Sequence, residues 1–232
     1  MCDECGCGNV RKFVVNRAVS EANDVAAHRV RHELTSLGVL CVNIMGAPGA
    51  GKTTLIERLV RFIVASEMFV IQGDLESDVD SKRLTAAGIA CHQINTHSGC
   101  HLDAHMIEGA LASVDLSGRK YLLIENVGNL VCPAGKDIGQ HVNLVVSSTA
   151  EGSDKPRKYP FIFMDAGLVV VSKMDLAPYV GFDVDGYISD VRNINGRVKV
   201  VCVGSDDVES YGAVAGFIEH ERAHVVGHKH GH

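Results

Sequence analysis

Three groups of residues in this chain have the types and spacings that chemistry needs. The first is Gly46-Ala-Pro-Gly49-Ala-Gly51-Lys52-Thr53-Thr54, the pattern G-x-x-x-x-G-K-T. Its glycines let backbone N–H groups turn inward around phosphate oxygens, and a helix starting there aims its positive end at them. Lys52 would neutralise β- and γ-phosphate charge, and Thr53 would place a hydroxyl on Mg2+. The G-x-G-x-x-G spacing of a dinucleotide site is not present in this loop.

Acidic residues follow the loop in an order that suits nucleotide chemistry. Asp74 closes Gln72-Gly73-Asp74, with Asp80 shortly after, and Glu125 opens Glu125-Asn-Val-Gly128-Asn. A carboxylate at a strand end can hold Mg2+ or its waters, and a glycine N–H can reach a γ-phosphate. Lys52, Asp74 and Glu125 are therefore the expected catalytic groups, with Gly46, Gly49, Gly51, Thr53, Thr54 and Gly128 binding the phosphates. Ser172-Lys173-Met174-Asp175 approximates the guanine reader Asn-Lys-x-Asp. The Asp175 carboxylate accepts from guanine N1–H and N2–H2 together, which adenine cannot offer. Ser172 in place of Asn shortens one side chain. The expectation is GTP over ATP, with looser contacts to base and phosphate loop.

The remaining groups are metal ligands. Cys2-x-x-Cys5-x-Cys7 gathers three thiolates suited to Zn2+, Cu+ or a low-coordinate Ni2+, with the terminal amine near enough to be a fourth donor; the other reading is a tail of reactive thiols. Cys100-His101 is followed by His105, and Cys132 arrives four residues after Gly128. Adjacent residues in a regular helix do not aim at one ion; at a helix start, or across a two-fold axis, they can. Spacing alone leaves ordinary buried thiol and imidazole groups equally open. His105, four after His101, is placed to share its helix face. A shift at Gly128 on γ-phosphate binding would move Cys132. Last come His220, His224, His228, His230 and His232, read equally as a metal-sequestering tail or a solvated one. Cys41, Cys91 and Cys202 lie in apolar runs and read as packed small hydrophobes.

These residues need a scaffold. Apolar runs at Val39–Met45, Phe69–Gln72, Ile89–Ile94, Tyr121–Glu125, Val142–Ser147, Leu168–Ser172 and Val198–Val203 read as strands buried on both faces. Helical patterns fall at Lys52–Ser66, Val79–Ala87, Leu102–Val114, Val184–Ile194 and Val208–Glu221. The alternation predicts an α/β fold of the P-loop NTPase type, a mostly parallel sheet flanked by helices. The expected division is 1–37, a Cys-rich arm and leader helix; 38–221, a nucleotide-binding domain holding the second metal group; and 222–232, a His-rich tail.

The 232 residues are 46% apolar and 22% charged, enough for a substantial core and against global disorder. A net charge of −6 gives no basic excess for a nucleic-acid partner. No apolar run approaches the roughly 20 residues a bilayer span needs, so no membrane role is expected. The acidic, sulfur-rich start lacks the features of a signal peptide, which predicts a cytoplasmic protein with reduced thiols. Eight Cys and twelve His are the unusual feature of the composition.

The chain resembles the hydrogenase nickel-incorporation GTPases, the HypB family. The carriers are Cys2-Asp-Glu-Cys5-Gly-Cys7-Gly, the phosphate loop, Cys100-His-Leu-Asp-Ala-His-Met106, Glu125-Asn-Val-Gly-Asn-Leu-Val-Cys-Pro133 and Glu151-Gly-Ser-Asp-Lys-Pro-Arg-Lys-Tyr-Pro160. The resemblance implies a SIMIBI-class GTPase that dimerises with GTP and delivers Ni2+ during nickel–iron hydrogenase maturation. It further implies an accessory maturation protein and the hydrogenase large subunit as partners. It makes Cys2, Cys5 and Cys7 a tight nickel site. It makes Cys100, His101 and Cys132 a second metal site near the dimer interface, for Ni2+ or Zn2+. Ser172, Val203-Gly-Ser205 and the carboxy-terminal histidines depart from the family pattern. A urease-type metallochaperone GTPase, or a metal buffer with a weakened nucleotide site, is the alternative reading.

Overall fold

The computed structural model describes residues 7–74, 79–96, 99–205 and 207–227, with side chains from residue 20 onward and without that of Asp74. A long leader helix, α1 (Cys7–Leu37), precedes the sheet. It closes where Gly38 N–H and Val39 N–H return to the carbonyls of Thr35 and Leu34 at 3.0 and 2.9 Å. Then follow β1 (Leu40–Gly46), α2 (Lys52–Leu59), β2 (Met68–Asp74), α3 (Val79–Ala86), β3 (Ala90–Asn95), α4 (Ala104–Leu111) and β4 (Tyr121–Glu125). The second half runs β5 (Val142–Ser148), α5 (Lys155–Lys158), α6 (Pro160–Met164), β6 (Ala166–Ser172), α7 (Ala177–Val180), α8 (Val184–Ile194), β7 (Lys199–Cys202) and α9 (Val208–Gly227).

The strands form one sheet in the order β3-β2-β4-β1-β5-β6-β7, with neighbouring strands parallel throughout. The expected α/β architecture is therefore present. Strand periodicity explains the layering. Leu40, Val42 and Ile44 of β1 face the layer of Leu55 and Leu59 from α2 and Val214 and Ile218 from α9. Cys41 faces the opposite layer with Leu34 of α1 and Ile107 of α4. Met45, also on that opposite side, packs with Phe163 of α6 and Tyr187 of α8. A strand apolar on both faces needs helices on both, which is why these runs do not alternate with polar residues. β1 lies centrally between β4 and β5, so the loop after β1 emerges beside the carboxyl ends of both neighbours, where open α/β sheets bind ligands.

Several boundaries differ from the sequence expectation. α2 stops at Leu59 rather than Ser66. The following stretch holds the β-branched residues Val60, Ile63 and Val64, and Val64 is already extended at φ −61°, ψ 123° as the chain turns toward β2. α4 starts at Ala104 because Asp103 caps it, its Oδ1 accepting from Met106 N–H at 2.9 Å. α9 continues past Glu221 to Gly227, and Val225 is packed in the same core as Ile218. Residues 222–227 thus extend the last helix, where their polar composition predicted a tail. Among the described residues, no helix is long and apolar enough to cross a membrane.

His141 locks the start of β5 to its neighbours. Cys41 N–H donates to His141 Nδ1 at 2.9 Å, and His141 Nε2 meets Thr35 Oγ1 at 3.0 Å. Thr35 in turn donates to the Arg31 carbonyl at 2.7 Å. Only the neutral ring with its proton on Nε2 satisfies this chain. Burial, then the Arg31 charge, lowers the His141 pKa to about 4. A folded pKa below the unfolded value gives stability that is complete above the unfolded pKa of roughly 6.5 and lost as pH falls toward 4. Wild-type stability should therefore fall across that window in denaturant titrations. His141→Asn should flatten that slope; an unchanged slope would remove His141 as its source.

Candidate nucleotide and metal site

Two glycines, Gly46 at the start of the phosphate loop and Gly128 packed against it, stand where no larger residue fits. A Cβ on Gly46 would lie 2.2 Å from the Val146 carbonyl oxygen of β5. A Cβ on Gly128 would lie 2.9 Å from the Pro48 ring. Lys52 is 7% exposed, with Nζ donating to the Gly46 and Ala47 carbonyls at 3.4 and 3.2 Å. Above it opens a cleft of about 460 Å³ lined by Thr53, Thr54, Gln72, Arg83, Glu125 and Gly128 among others.

Glu125 is the buried acid of this cleft. Thr53 Oγ1 donates to one carboxylate oxygen at 2.7 Å and Gln72 Nε2 to the other at 2.9 Å. Ser81 Oγ donates to Gln72 Oε1 at 2.8 Å and orients that amide. Burial raises the Glu125 pKa, against the pull of these donors and of Lys52. Arg83, which carried no role in the sequence reading, spans Asp80, Glu57 and Thr54 at 2.9, 2.7 and 3.1 Å. It therefore puts a cation at the rim of the cleft. Asp74 ends β2 on the same side, its side chain outside the described residues.

The base-reading segment packs against the phosphate loop. Ser172, short as it is, reaches the phosphate loop: its Oγ donates to the Ala50 carbonyl at 2.6 Å. The Ser172 side chain lies beside Gly51, its Oγ and Cβ 3.7 and 3.9 Å from where a Cβ on that glycine would stand. Lys173 stands in a left-handed conformation (φ 57°) and sends Nζ to the Gly49 carbonyl at 2.8 Å. Asp175 Oδ1 accepts from Ser205 N–H at 3.0 Å and Ser205 Oγ–H at 3.1 Å. These bonds, the backbone one first, hold the Asp175 carboxyl below its usual range. Ser172, Asp175, Ser205 and Tyr211 line a second hollow of about 240 Å³ that adjoins Gly51 and Thr54.

Cys100, His101 and Cys132 converge, their candidate ligand atoms all within 4.8 Å of one another. Cys100 and His101 lie in the turn before α4, so the helical objection to adjacent ligands does not apply. Burial and then Lys136 lower the His101 pKa, favouring the neutral ligand form. The hydrogen bond with Cys100, followed by burial, raises the Cys132 pKa, so a metal there must displace protons. His105 does not share a face with His101; it lies within α4 and turns to Glu108 at 3.9 Å. Cys2 and Cys5 lie outside the described residues, as does the side chain of Cys7. Cys41 is fully buried, and Cys91 and Cys202 are partly so, consistent with packing roles.

Two asparagines, given no role from sequence, join the two halves of the site. Asn126 Oδ1 accepts from Leu102 N–H, one residue beyond His101, at 3.1 Å. Its Nδ2 donates to Asn43 of β1 at 3.1 Å. Asn129 N–H donates to the Gly46 carbonyl at 3.0 Å, while its Oδ1 accepts from Cys132 N–H at 3.1 Å. Both sit in the turn that leaves Glu125. The signal was present in the sequence as Glu125-Asn-Val-Gly-Asn, but an amide's partners are set by tertiary contacts that spacing does not reveal.

Comparison with known proteins follows the same lines. The model of the CobW/HypB/UreG nucleotide-binding domain matches residues 40–202. The hydrogenase/urease maturation factor HypB of Helicobacter hepaticus is 42% identical over 214 residues, which cover 90% of this chain and 88% of that protein. The crystal structure of HypB from Helicobacter pylori in complex with nickel aligns with a TM-score of 0.84 at 35% identity, covering 88% of this chain and 96% of that one. HypB from Archaeoglobus fulgidus aligns with a TM-score of 0.81 at 38% identity, covering 87% and 99%.

Asn129→Ala removes the acceptor for Cys132 N–H without touching a ligand atom. Nickel affinity at the Cys100, His101 and Cys132 group should fall by about 10- to 100-fold, the usual effect of losing an outer-shell partner. Titration of a protein lacking Cys2, Cys5 and Cys7 isolates that group. Wild-type affinity in the variant would show that Asn129 does not position Cys132.

Proposed function

We propose that this chain, which belongs to the CobW/HypB/UreG nucleotide-binding family and matches HypB proteins along most of its length, is a GTP-hydrolysing nickel metallochaperone of hydrogenase maturation. The observation that carries this reading is the turn from Glu125 to Cys132. One end bonds to Thr53 and touches Pro48 of the phosphate loop, and the other supplies a thiol to the metal-ligand group.

In this reading the loop N–H groups, Lys52 and Thr54 bind the GTP phosphates, and Lys173 and Asp175 bind the guanine. Hydrolysis adds water to the γ-phosphorus and breaks its bond to the bridging oxygen, releasing GDP and phosphate. Oxygen donors suit Mg2+, and Thr53 Oγ1 beside the Glu125 carboxylate at 2.7 Å fits it. When bound, that ion neutralises phosphate charge. Asp74 is assigned to the same acidic set by its place at the end of β2. Among the described residues no side chain stands out as a polariser of the attacking water, and in this reading intrinsic turnover is slow and regulatory. GTP brings two copies together, and the Cys100, His101 and Cys132 group takes up or yields nickel as the turn shifts. Zn2+ is the competing occupant. Cys2, Cys5 and Cys7 form a separate, tighter nickel site. An accessory maturation protein and the hydrogenase large subunit receive the cargo.

Lys52→Ala should reduce GTP turnover to background while nickel stays bound at Cys2, Cys5 and Cys7. Nickel affinity of the wild type should differ among GTP-, GDP- and nucleotide-free protein, and Cys100→Ala should erase the difference. Equilibrium titrations giving identical affinities in all three states would refute the coupling. Absent turnover with intact metal binding would instead indicate a metal buffer.

A further inference from the structure

We propose that His220 and His224 form a divalent transition-metal site on α9, separate from the nucleotide-linked group. The two residues are one helical turn apart on the same face of a 20-residue helix. Their Nε2 atoms lie 3.1 Å apart, with ring centroids at 4.6 Å and planes at 85°. At a metal–nitrogen distance of roughly 2.05 Å, that separation subtends about 98° at one ion, between octahedral and tetrahedral values. The same 3.1 Å also serves an imidazole–imidazole hydrogen bond, one ring donating from Nε2–H. To bind metal, that donor ring carries its proton on Nδ1 instead, and both Nε2 atoms present lone pairs. No proton leaves the protein, so the exchange is undemanding. Imidazole pairs suit Ni2+, Cu2+ and Zn2+.

The backbone beneath the pair is already fixed. Both side chains are exposed, while Phe217, Ile218 and Val225 of the same helix are packed in the core. The pair is therefore pre-positioned and spends little ordering on the ion. His224 lines a groove with Thr35, Leu40 and His141, and His220 lines another with Leu168, Val198 and Lys199. Leu40 opens β1 and Lys199 opens β7, so this is the amino-terminal edge of the sheet. The phosphate loop and Cys132 stand at the opposite, carboxyl-terminal edge. An ion at His220 and His224 is thus out of reach of the Cys100 group and of the turn that senses nucleotide. His141 is not a third ligand, since Cys41 N–H and Thr35 Oγ1 occupy its two ring nitrogens. The site is a nucleotide-blind holding point, and it stands whether or not the chain is a nickel chaperone.

The test uses the full chain with Cys2, Cys5, Cys7, Cys100 and Cys132 changed to Ser, and His228, His230 and His232 changed to Gln. Isothermal titration with Ni2+ alone should give a single nickel equivalent on this background. H220Q and H224Q should each weaken it by about tenfold or more, because the second imidazole acts at high effective concentration. Circular dichroism should show unaltered helix in both, and Ni2+ should raise the Tm of the background alone. Added GTP should leave the affinity unchanged. Binding in H220Q and H224Q equal to the background, or no binding in the background, overturns the site. So does an affinity that moves with GTP.

Discussion

The main-chain bridge between Gly46 and Asn129, with the Asn126 N–H bond to the Ile44 carbonyl beside it, joins the phosphate loop to the turn that carries Cys132. It is antiparallel in a sheet whose strand pairings are parallel, and it sits where β1 becomes the phosphate loop. The surroundings leave it little slack. Gly46 lies against the β5 backbone and Gly128 against Pro48, each closely enough that a methyl group would collide. Close-packed contacts transmit a displacement instead of absorbing it. In the proposed coupling, a loop that rearranges around phosphate would move the turn, and the Asn129 side chain would carry that motion to the Cys132 backbone. Asn126 would do the same for the segment ahead of α4, through Leu102 N–H. Both ligand-bearing segments are thus hung on one turn.

The leader helix supplies the counter-brace. Asn23 accepts from Ala104 N–H at 3.0 Å and donates to the Asp137 carbonyl at 2.8 Å, so one side chain spans the segments that follow His101 and Cys132. The buried trio Ala26, Ala27 and Ala104 lets α1 approach α4 closely enough for this reach. The exposed pairs Arg29–Glu108 and Arg31–Asp137 add orientation more than energy, since solvent screens them. Cys7 opens the same helix, sixteen residues before Asn23, or about 24 Å at helical rise.

How much of this was legible in the sequence depended on how local each determinant was. The seven strands and the phosphate loop were legible because apolar runs and glycine spacing are local patterns. Helix ends were less so: Asp103 could be recognised as a cap only once Met106 N–H was seen to use it, and Val225 drew α9 beyond its polar surroundings by packing in the core. The Ser172 contact with the Ala50 carbonyl is not legible from side-chain length, because it depends on where β6 places the residue against the phosphate loop. The convergence of Cys100, His101 and Cys132 was open from spacing, since adjacent ligands point apart in a helix. It needed the turn before α4, whose shape comes from Asn126 and Asn23. Asn126 and Asn129 themselves were beyond sequence reasoning, because what an amide does depends on which backbone groups surround it.

The buried carboxylate ties the electrostatics of the cleft to the start of that turn. Glu125 is buried in the lining of the cleft, which disfavours its charge, yet its neighbours, Thr53 Oγ–H, Gln72 N–H and the Lys52 ammonium, are those that a charged carboxylate prefers. Burial and these fixed donors therefore act in opposite directions, with burial the larger. A hydroxyl that donates to Glu125 keeps its oxygen lone pairs for a cation, so the Thr53 contact is compatible with Mg2+ arriving with a nucleotide. Such an ion would favour the charged carboxylate and tighten its hold on Thr53, drawing the first residue after β4 toward the loop. Because Asn126 follows Glu125 directly, any such tightening is applied at the residue that also carries Leu102 and, through it, the segment of Cys100 and His101. The electrostatic state of one buried acid and the geometry of an exposed metal group are thereby properties of the same short stretch of chain.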